Sequence, residues 1–276
     1  MRVLSLAEIG QMSRTDAEDA IRARVQTVYL GDNRLLTRIL GGPKLFLSTL
    51  DVGFAGHVML DGFWEIWLTQ FFAKFVKPGM TVIDVGANAG YYTVLFGDAV
   101  GCQGRVVAVE PVPTTVVLLK QSVALNGHAS RTRIAAVALG REAAGEVHMM
   151  LPDGEPKNAT VIGDSEPGAI RVPCTNLDTL ARDLDRIDLV KIDAEGAEED
   201  IVAGMSEMLA RHRPTVLLEF NARRSKDVGG FVAHLRGSFK AVKQLDFQGG
   251  LQPIADSELL DKSSGEDILL FLESRK

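Results

Sequence analysis

VIDVGANAGYYT, from Val82 to Thr93, joins an apolar run to a glycine-rich turn and the opening of a helix. Val82–Val85 suits a strand buried on both faces of a parallel sheet. Asp84 sits at its carboxyl end, and Gly86 and Gly90 predict a turn whose backbone approaches a ligand closely. A second buried run, Val106–Val109, ends in Glu110, 24 residues after Gly86. Folds of this type place an acid near that spacing on a ribose diol. A nucleoside ligand is expected.

The turn discriminates among nucleoside cofactors. A dinucleotide fingerprint read from Gly86 requires glycines where the chain has Asn88 and Tyr91. Asn obstructs the approach to a pyrophosphate, and Tyr hinders helix–strand packing. No phosphate-cradling G-x-x-x-x-G-K-[ST] loop occurs. The remaining D-x-G-x-N-x-G turn with its downstream acid suits S-adenosylmethionine, which has a ribose and a zwitterionic tail but no phosphate. The bland alternative is a sheet whose glycines only make a tight turn.

Outward from this stretch, β-branched runs alternate with helical segments. Strands are expected at Val82–Val85, Val106–Val109, Ile134–Val137, Leu189–Ile192 and Val216–Phe220. Helices are expected at Tyr91–Val100, Thr114–Leu125, Leu177–Leu184 and Ala197–Ala210. This predicts an α/β fold with a doubly wound, mostly parallel sheet. FKAVKQL and DILLFL close it with an antiparallel hairpin. The 47 residues between Gly140 and Asp188 exceed one crossover helix. VHMML and IRVPC read as a strand pair within that stretch, and the Pro/Gly-rich Asp153–Gly168 as a mobile part of a substrate lid over 141–176.

Ahead of the core, Thr15 and Glu18 have capping-box spacing. Ile21, Val25, Val28 and Tyr29 mark one helical face that Gly31 would end. A second helix is expected from Arg34 to Leu40, and a hairpin from KLFLSTL and HVML. Residues 1–43 thus read as a helical extension, available to a homo-oligomer, and 44–276 as the main domain. FWEIWLTQFFAKFV, Phe63 to Val76, is apolar on most sides and expected to be buried. Glu65 within it has two open readings: an acid favoured by the helix dipole, or a carboxylate near a ligand's amino group.

The second chemical cluster is DLVKIDAEGAEED, Asp188 to Asp200. Asp193 ends the fourth strand, Glu195 and Gly196 make the turn, and Glu219 ends the neighbouring strand. Together these carboxylates suit a general base, an oxygen-ligand metal site or a clamp on a hydroxylated substrate. Glu198, Glu199 and Asp200 read as acids at the positive end of a helix.

Bulk properties narrow the class. Net charge is −6 with no basic block, which disfavours nucleic acid. Hydrophobic residues make up 46% and charged residues 24%, ordinary for a globular protein. Cys102 and Cys174 belong to no Cys/His cluster, so no structural metal is expected, and a reducing cytoplasm fits. No run of 18 apolar residues and no apolar leader segment occurs, so no membrane association is expected.

DVGANAGYYT, AVEP, LNG, VALG, NLDTL, KIDAEGAE, PTVLLEF and DILLFL, in that order, resemble the FkbM-type methyltransferases. These are class I, Rossmann-like enzymes dependent on S-adenosylmethionine. The resemblance runs from about Lys44 to Leu272 and includes the GFWE element. It implies that Asp84, Gly86, Asn88 and Gly90 hold the methionine part of the cofactor. Glu110 would then hold the ribose, with Ala138 near the adenine. It also implies O-methylation of a sugar, polyketide or similar hydroxylated small molecule. Alcohol methylation needs a proton acceptor. No histidine falls at a strand end beside the motifs; His148, on the insertion, is the one plausible exception. Asp193 is therefore the expected base, ahead of Glu219, with Glu195 orienting the acceptor. The competing readings are an NAD-dependent oxidoreductase and a non-catalytic cofactor-binding scaffold.

Overall fold

The computed structural model describes residues 2–143, 145–152, 159–162, 167–263 and 265–275. The chain divides into two compact units. One comprises Met1–Met80, Ala87–Ala136 and Leu151–Ala159, the other Thr81–Gly86, Val137–Met150 and Thr160–Lys276.

In the first unit, helix α1 (Leu6–Gln11) opens with a capping box. Ser5 Oγ accepts from Glu8 N, and Glu8 Oε2 accepts from Ser5 N at 2.9 Å. Helix α2 (Arg14–Arg22) starts at Ser13, whose hydroxyl accepts from Asp16 N at 3.1 Å. The expected cap at Thr15 is therefore displaced by a serine two residues earlier. Glu18 instead pairs with Arg14 and Arg22 one turn away.

The helical face expected to run on to Gly31 does not exist. The β-branched and aromatic run from 27 to 31 forms β1 (Thr27–Gly31). Asp32 and Asn33 both take positive φ, 49° and 57°. That pair makes a two-residue hairpin turn of the kind that matches strand twist. The chain returns as β2 (Arg34–Arg38), where a helix was expected, and β3 (Lys44–Ser48) completes the antiparallel sheet β1-β2-β3. HVML is not a strand either. Asp51 Oδ1 accepts from Phe54 N at 3.1 Å and starts α3 (Phe54–Asp61), which Gly62 ends at φ 75°.

The aromatic stretch forms α4 (Ile66–Phe75), buried as expected. After the strand β4 (Thr81–Val85), which belongs to the second unit, the first unit resumes with α5 (Tyr91–Ala99), β5 (Arg105–Val109), α6 (Pro113–Leu125) and β6 (Thr132–Ala135). Pro113 suits the first turn of α6, where its missing N–H has no intrahelical partner.

The second unit holds a small sheet in the order β7-β10-β8-β9, from β7 (Ala138–Leu139), β8 (Gly145–Met150), β9 (Thr160–Ile162) and β10 (Ile170–Thr175). VHMML and IRVPC are thus an antiparallel pair, as read from sequence. The expected mobile segment falls largely on 153–158 and 163–166, outside the described residues. A short α7 (Leu177–Leu180) follows, where a longer helix was expected.

Then come β11 (Leu189–Ile192), α8 (Glu198–Ala203), α9 (Ser206–His212), β12 (Thr215–Phe220), α10 (Val228–Ser238), β13 (Phe239–Leu245), β14 (Leu251–Pro253), α11 (Asp256–Leu259) and β15 (Ile268–Ser274). The single helix expected over 197–210 is two, broken after Gly204. A side chain at Gly204 would strike the carbonyl of Gly140, so the helix stops at this close approach.

In the second unit the large sheet runs β14-β13-β15-β12-β11-β4, and in the first unit β5 pairs with β6. β4, β11 and β12 are mutually parallel, as are β5 and β6, while β15 is antiparallel to both β12 and β13. This is the doubly wound, mostly parallel α/β fold with an antiparallel C-terminal edge. Asp84, Asp193 and Glu219 all lie at or just beyond the carboxyl ends of its parallel strands, where open α/β sheets bind ligands.

Candidate active site

The glycine-rich turn is held by its own chain. Asn88 takes φ 48°, a conformation Asn tolerates better than most residues, and its Oδ1 accepts from Ala89 N at 2.7 Å. Glu110 Oε2 accepts from Asn88 N at 3.0 Å, and its Oε1 from Val112 N at 2.9 Å. Gly90 N donates to Ala87 O at 3.0 Å. Three successive N–H groups of the turn therefore have acceptors within the protein.

The two glycines are required by packing within the protein. A Cβ on Gly86 would collide with the main-chain carbonyl of Asp193, and Gly86 also takes φ 72°. A Cβ on Gly90, at φ 100°, would meet Leu119 Cδ1 at 2.8 Å. Beside the expected approach to a ligand, these glycines thus allow close approach of β11's carboxyl end and of α6.

Lys191, in the middle of the KIDAEGAE motif, was not singled out from sequence. Its residue is 3% exposed, and its Nζ lies 3.1 Å from Asp193 Oδ2 and 3.7 Å from Asp84 Oδ1. Strand register explains the meeting: Lys191 is the direct partner of Asp84 across β11 and β4. Burial works to remove its proton, but Asp193 and then Asp84 outweigh that, and its pKa stands above an ordinary lysine's. A buried lysine was missed because apolar neighbours made β11 read as a uniformly hydrophobic strand. The usable signal was that a cation in such a strand requires a buried acid.

Glu195 and Glu219 meet on a second cation. Arg224 Nη1 lies 3.0 Å from Glu195 Oε2 and 3.1 Å from Glu219 Oε2, and Nη2 lies 2.6 Å from Asp267 Oδ1. Glu195 itself stands at φ 52°. Burial, then Asp193 and Asp267, push the Glu219 carboxyl up to about 9 despite Arg224. It therefore holds its proton at neutral pH. Acids outnumber cations here, so one proton is retained. Arg224 and Asp267 lie outside both motifs, and sequence spacing held no sign of them.

Glu198 does not act only on the helix dipole. It is 6% exposed, and its carboxylate accepts from Ala194 N at 2.8 Å and Gly196 N at 2.9 Å, so it ties down the loop carrying Asp193 and Glu195. Burial raises its pKa beyond what those N–H bonds lower. Glu199 holds the 225–227 loop and Asp200 pairs with Lys226 and Arg141. Among the described residues no group of three His, Cys, Asp or Glu is arranged to hold a metal ion.

Two further residues lie apart from these clusters. Glu65 precedes α4 in a left-handed conformation, makes no side-chain cap bond, and accepts from Tyr92 Oη at 2.8 Å. It thus stands at the positive end of α4, as the helix-dipole reading expects, and is also hydrogen-bonded to α5. Ala138 follows β6 and is buried in β7, paired with Cys174 of β10. His148 lies in β8 opposite Arg171. No helix among the described residues is long and apolar enough to cross a membrane.

Comparison with known proteins locates this arrangement. Protein-L-isoaspartate O-methyltransferase of Triticum aestivum is 33% identical over 98 residues, covering 34% of this chain and 39% of that protein. Protein-L-isoaspartate O-methyltransferase 1 of Arabidopsis thaliana is 47% identical over 47 residues, covering 17% and 20%. The chain thus spans less than half the length of these curated relatives. The solved methyltransferase FkbM from Methylobacillus flagellatus KT is similar at a TM-score of 0.44 and 13% identity, over 75% of this chain and 54% of that one. The model of the methyltransferase FkbM domain matches residues 84–275. That span takes in the glycine-rich turn, Glu110, the KIDAEGAE motif and the antiparallel edge, and the chain belongs to the methyltransferase FkbM domain family.

Proposed function

We propose that this chain is an S-adenosylmethionine-dependent methyltransferase acting on a hydroxyl oxygen of a sugar, polyketide or similar small molecule. The observation that carries this reading is the saturation of the glycine-rich turn. A pyrophosphate is held by main-chain N–H groups at such a turn. Here the N–H groups of Asn88, Ala89 and Gly90 are already bonded to Glu110, Asn88 and Ala87. The donor set fits a cofactor that presents hydroxyls and an ammonium to acids. Asp84, Gly86, Asn88 and Gly90 would hold its methionine part, with Glu65 a further carboxylate for the ammonium. Glu110 would hold its ribose, and Ala138 would lie against its adenine.

When bound, this cofactor supplies a methyl group on a good sulfonium leaving group. The protein's task is then to place the acceptor and to take its proton as the new bond forms. Asp193 is suited to that by position: it stands just beyond the carboxyl end of β11, and Lys191 Nζ at 3.1 Å fixes where its carboxylate sits. Glu219, protonated at neutral pH, serves as a hydrogen-bond donor rather than a base. Glu195, clamped by Arg224, orients the acceptor. No metal takes part.

A second reading follows from the isoaspartate methyltransferase relatives: a carboxylate acceptor. Such a group needs no base, but it would enter beside Asp193 and Glu195, where like charge opposes it. The alcohol reading therefore stands first.

The test has two stages. S-adenosylhomocysteine at 100 times its dissociation constant should stabilise the fold by about 2.7 kcal/mol, and NAD should not. A thermal shift with NAD and none with S-adenosylhomocysteine overturns the reading. Labelled methyl transfer to a panel of sugar and polyketide alcohols, beside an isoaspartyl peptide, then identifies the acceptor. Labelling of the peptide alone would replace the alcohol reading by the carboxylate one.

A further inference from the structure

The strands of the second unit have another end, opposite the carboxylates. There, α9, the end of α10 and the end of β15 border an open hollow of about 390 Å³. Its polar lining is Ser206, Arg213, His234, Ser238, Ser274 and Arg275. Leu209 and Ala210 complete the lining, Ser274 Oγ donates to the carbonyl of Pro214, and among the described residues no Asp or Glu belongs to it. Register separates it from the acidic cluster. Arg213 precedes β12 and Glu219 lies near its far end, four residues beyond Thr215, or roughly 13 Å along the strand.

Arg213 is the informative residue. It ends α9 with φ 52° and ψ 48°, a left-handed cap that glycine fills at least cost. An arginine there accepts backbone strain for its side chain. Its main-chain N–H donates to Leu209 O at 3.1 Å, but among the described residues its guanidinium makes no hydrogen bond or ion pair. Arg275 uses one nitrogen on the carbonyl of Arg236. His234 Nε2 lies 3.5 Å from Ser238 Oγ. In a chain of net charge −6, a hollow whose charged lining residues are arginines, beside serines, a histidine, Leu209 and Ala210, is a local reversal of sign.

We propose that the hollow between α9, α10 and the end of β15 binds the phosphate group of a small molecule, through Arg213 and Arg275 with hydroxyl donors from Ser206 and Ser238. Arginine forks match phosphate oxygens, and serine hydroxyls complete such sites. The site is separate from the methyl-transfer centre and does not depend on the function proposed for it.

Calorimetry on the full chain with inorganic phosphate and with a hexose phosphate tests this, on the natural protein, Arg213→Gly and Arg275→Gln. Glycine suits the left-handed cap, so Arg213→Gly should melt no lower than the natural chain. Its affinity, and that of Arg275→Gln, should fall by about tenfold or more. Equal affinities for the two probes support recognition of the ion itself, and tighter hexose phosphate binding supports an organic phosphate. Absence of heat with both probes, or affinities unchanged in both variants, overturns the proposal. So does tighter binding of an RNA duplex with a steep salt dependence, which would make the surface a nucleic-acid contact.

Discussion

The Lys191 ammonium stands between two carboxylates that belong to two different motifs, 3.1 Å from Asp193 and 3.7 Å from Asp84. A charge this deeply buried is tolerable only while its partners are present. The same is true of Asp84, which is fully buried.

Lys191→Met keeps the length of the side chain and removes the charge, leaving Asp84 buried without it. Breaking a buried pair from one side costs about 3–5 kcal/mol. Urea unfolding should show a loss of that size, and Lys191→Arg should recover part of it. A change below about 1 kcal/mol would mean that the pair is solvated in solution.

Asp193→Asn should lower turnover by a factor of order 10²–10⁴ while leaving S-adenosylhomocysteine affinity within a few-fold. EDTA should leave the natural enzyme active. Loss of activity with EDTA and recovery with magnesium would make Asp193 a metal ligand instead of a base.

Glu219 titrates from an ordinary value near 4.5 in the unfolded chain to about 9 in the fold. Its protonated form is favoured by the native state, so its contribution is complete below about pH 4.5 and is lost as pH rises towards 9. Glu219→Gln removes this titration and keeps an acceptor for Arg224. The stability of the variant relative to the natural protein should therefore rise from pH 5 to pH 9. A flat difference in melts across that range would place Glu219 outside the coupled group.

Gly86 and Gly127 share nearly the same φ, 72° and 73°, but nothing lies within 4 Å of a Cβ at Gly127. Gly127→Ala should cost about 1–2 kcal/mol for conformation alone. Gly86→Ala adds a collision with the Asp193 carbonyl and should cost clearly more, visible as a lower urea midpoint or as insoluble expression.

The core was legible because its signals are local and repeated. Val82–Val85, Val106–Val109, Leu189–Ile192 and Val216–Phe220 all lie within strands, since a β-branched run bounded by turns has few other homes. The first sixty residues were not. Val25, Val28 and Tyr29 happen to fall on a helical period, and the period outweighed the hairpin turn Asp32-Asn33, whose positive φ values lack the usual glycine. At the site, positions at strand ends were readable, because chain order places them there. Their partners were not: Lys191 hides in an apolar strand, and Arg224 and Asp267 reach Glu219 only through folding.

The contact between Gly86 and the Asp193 carbonyl has a consequence for the order of assembly. These residues are 107 positions apart in the chain (193 minus 86). Contacts between distant positions form late, because the intervening chain must be closed into a loop first. During synthesis the turn and its Glu110 tether emerge long before Asp193. The nascent chain therefore carries a complete glycine-rich motif whose shape is still unconstrained on one side. Under the function proposed above, competence to hold the cofactor is acquired when β11 docks, so ligand binding should report on completion of the second unit.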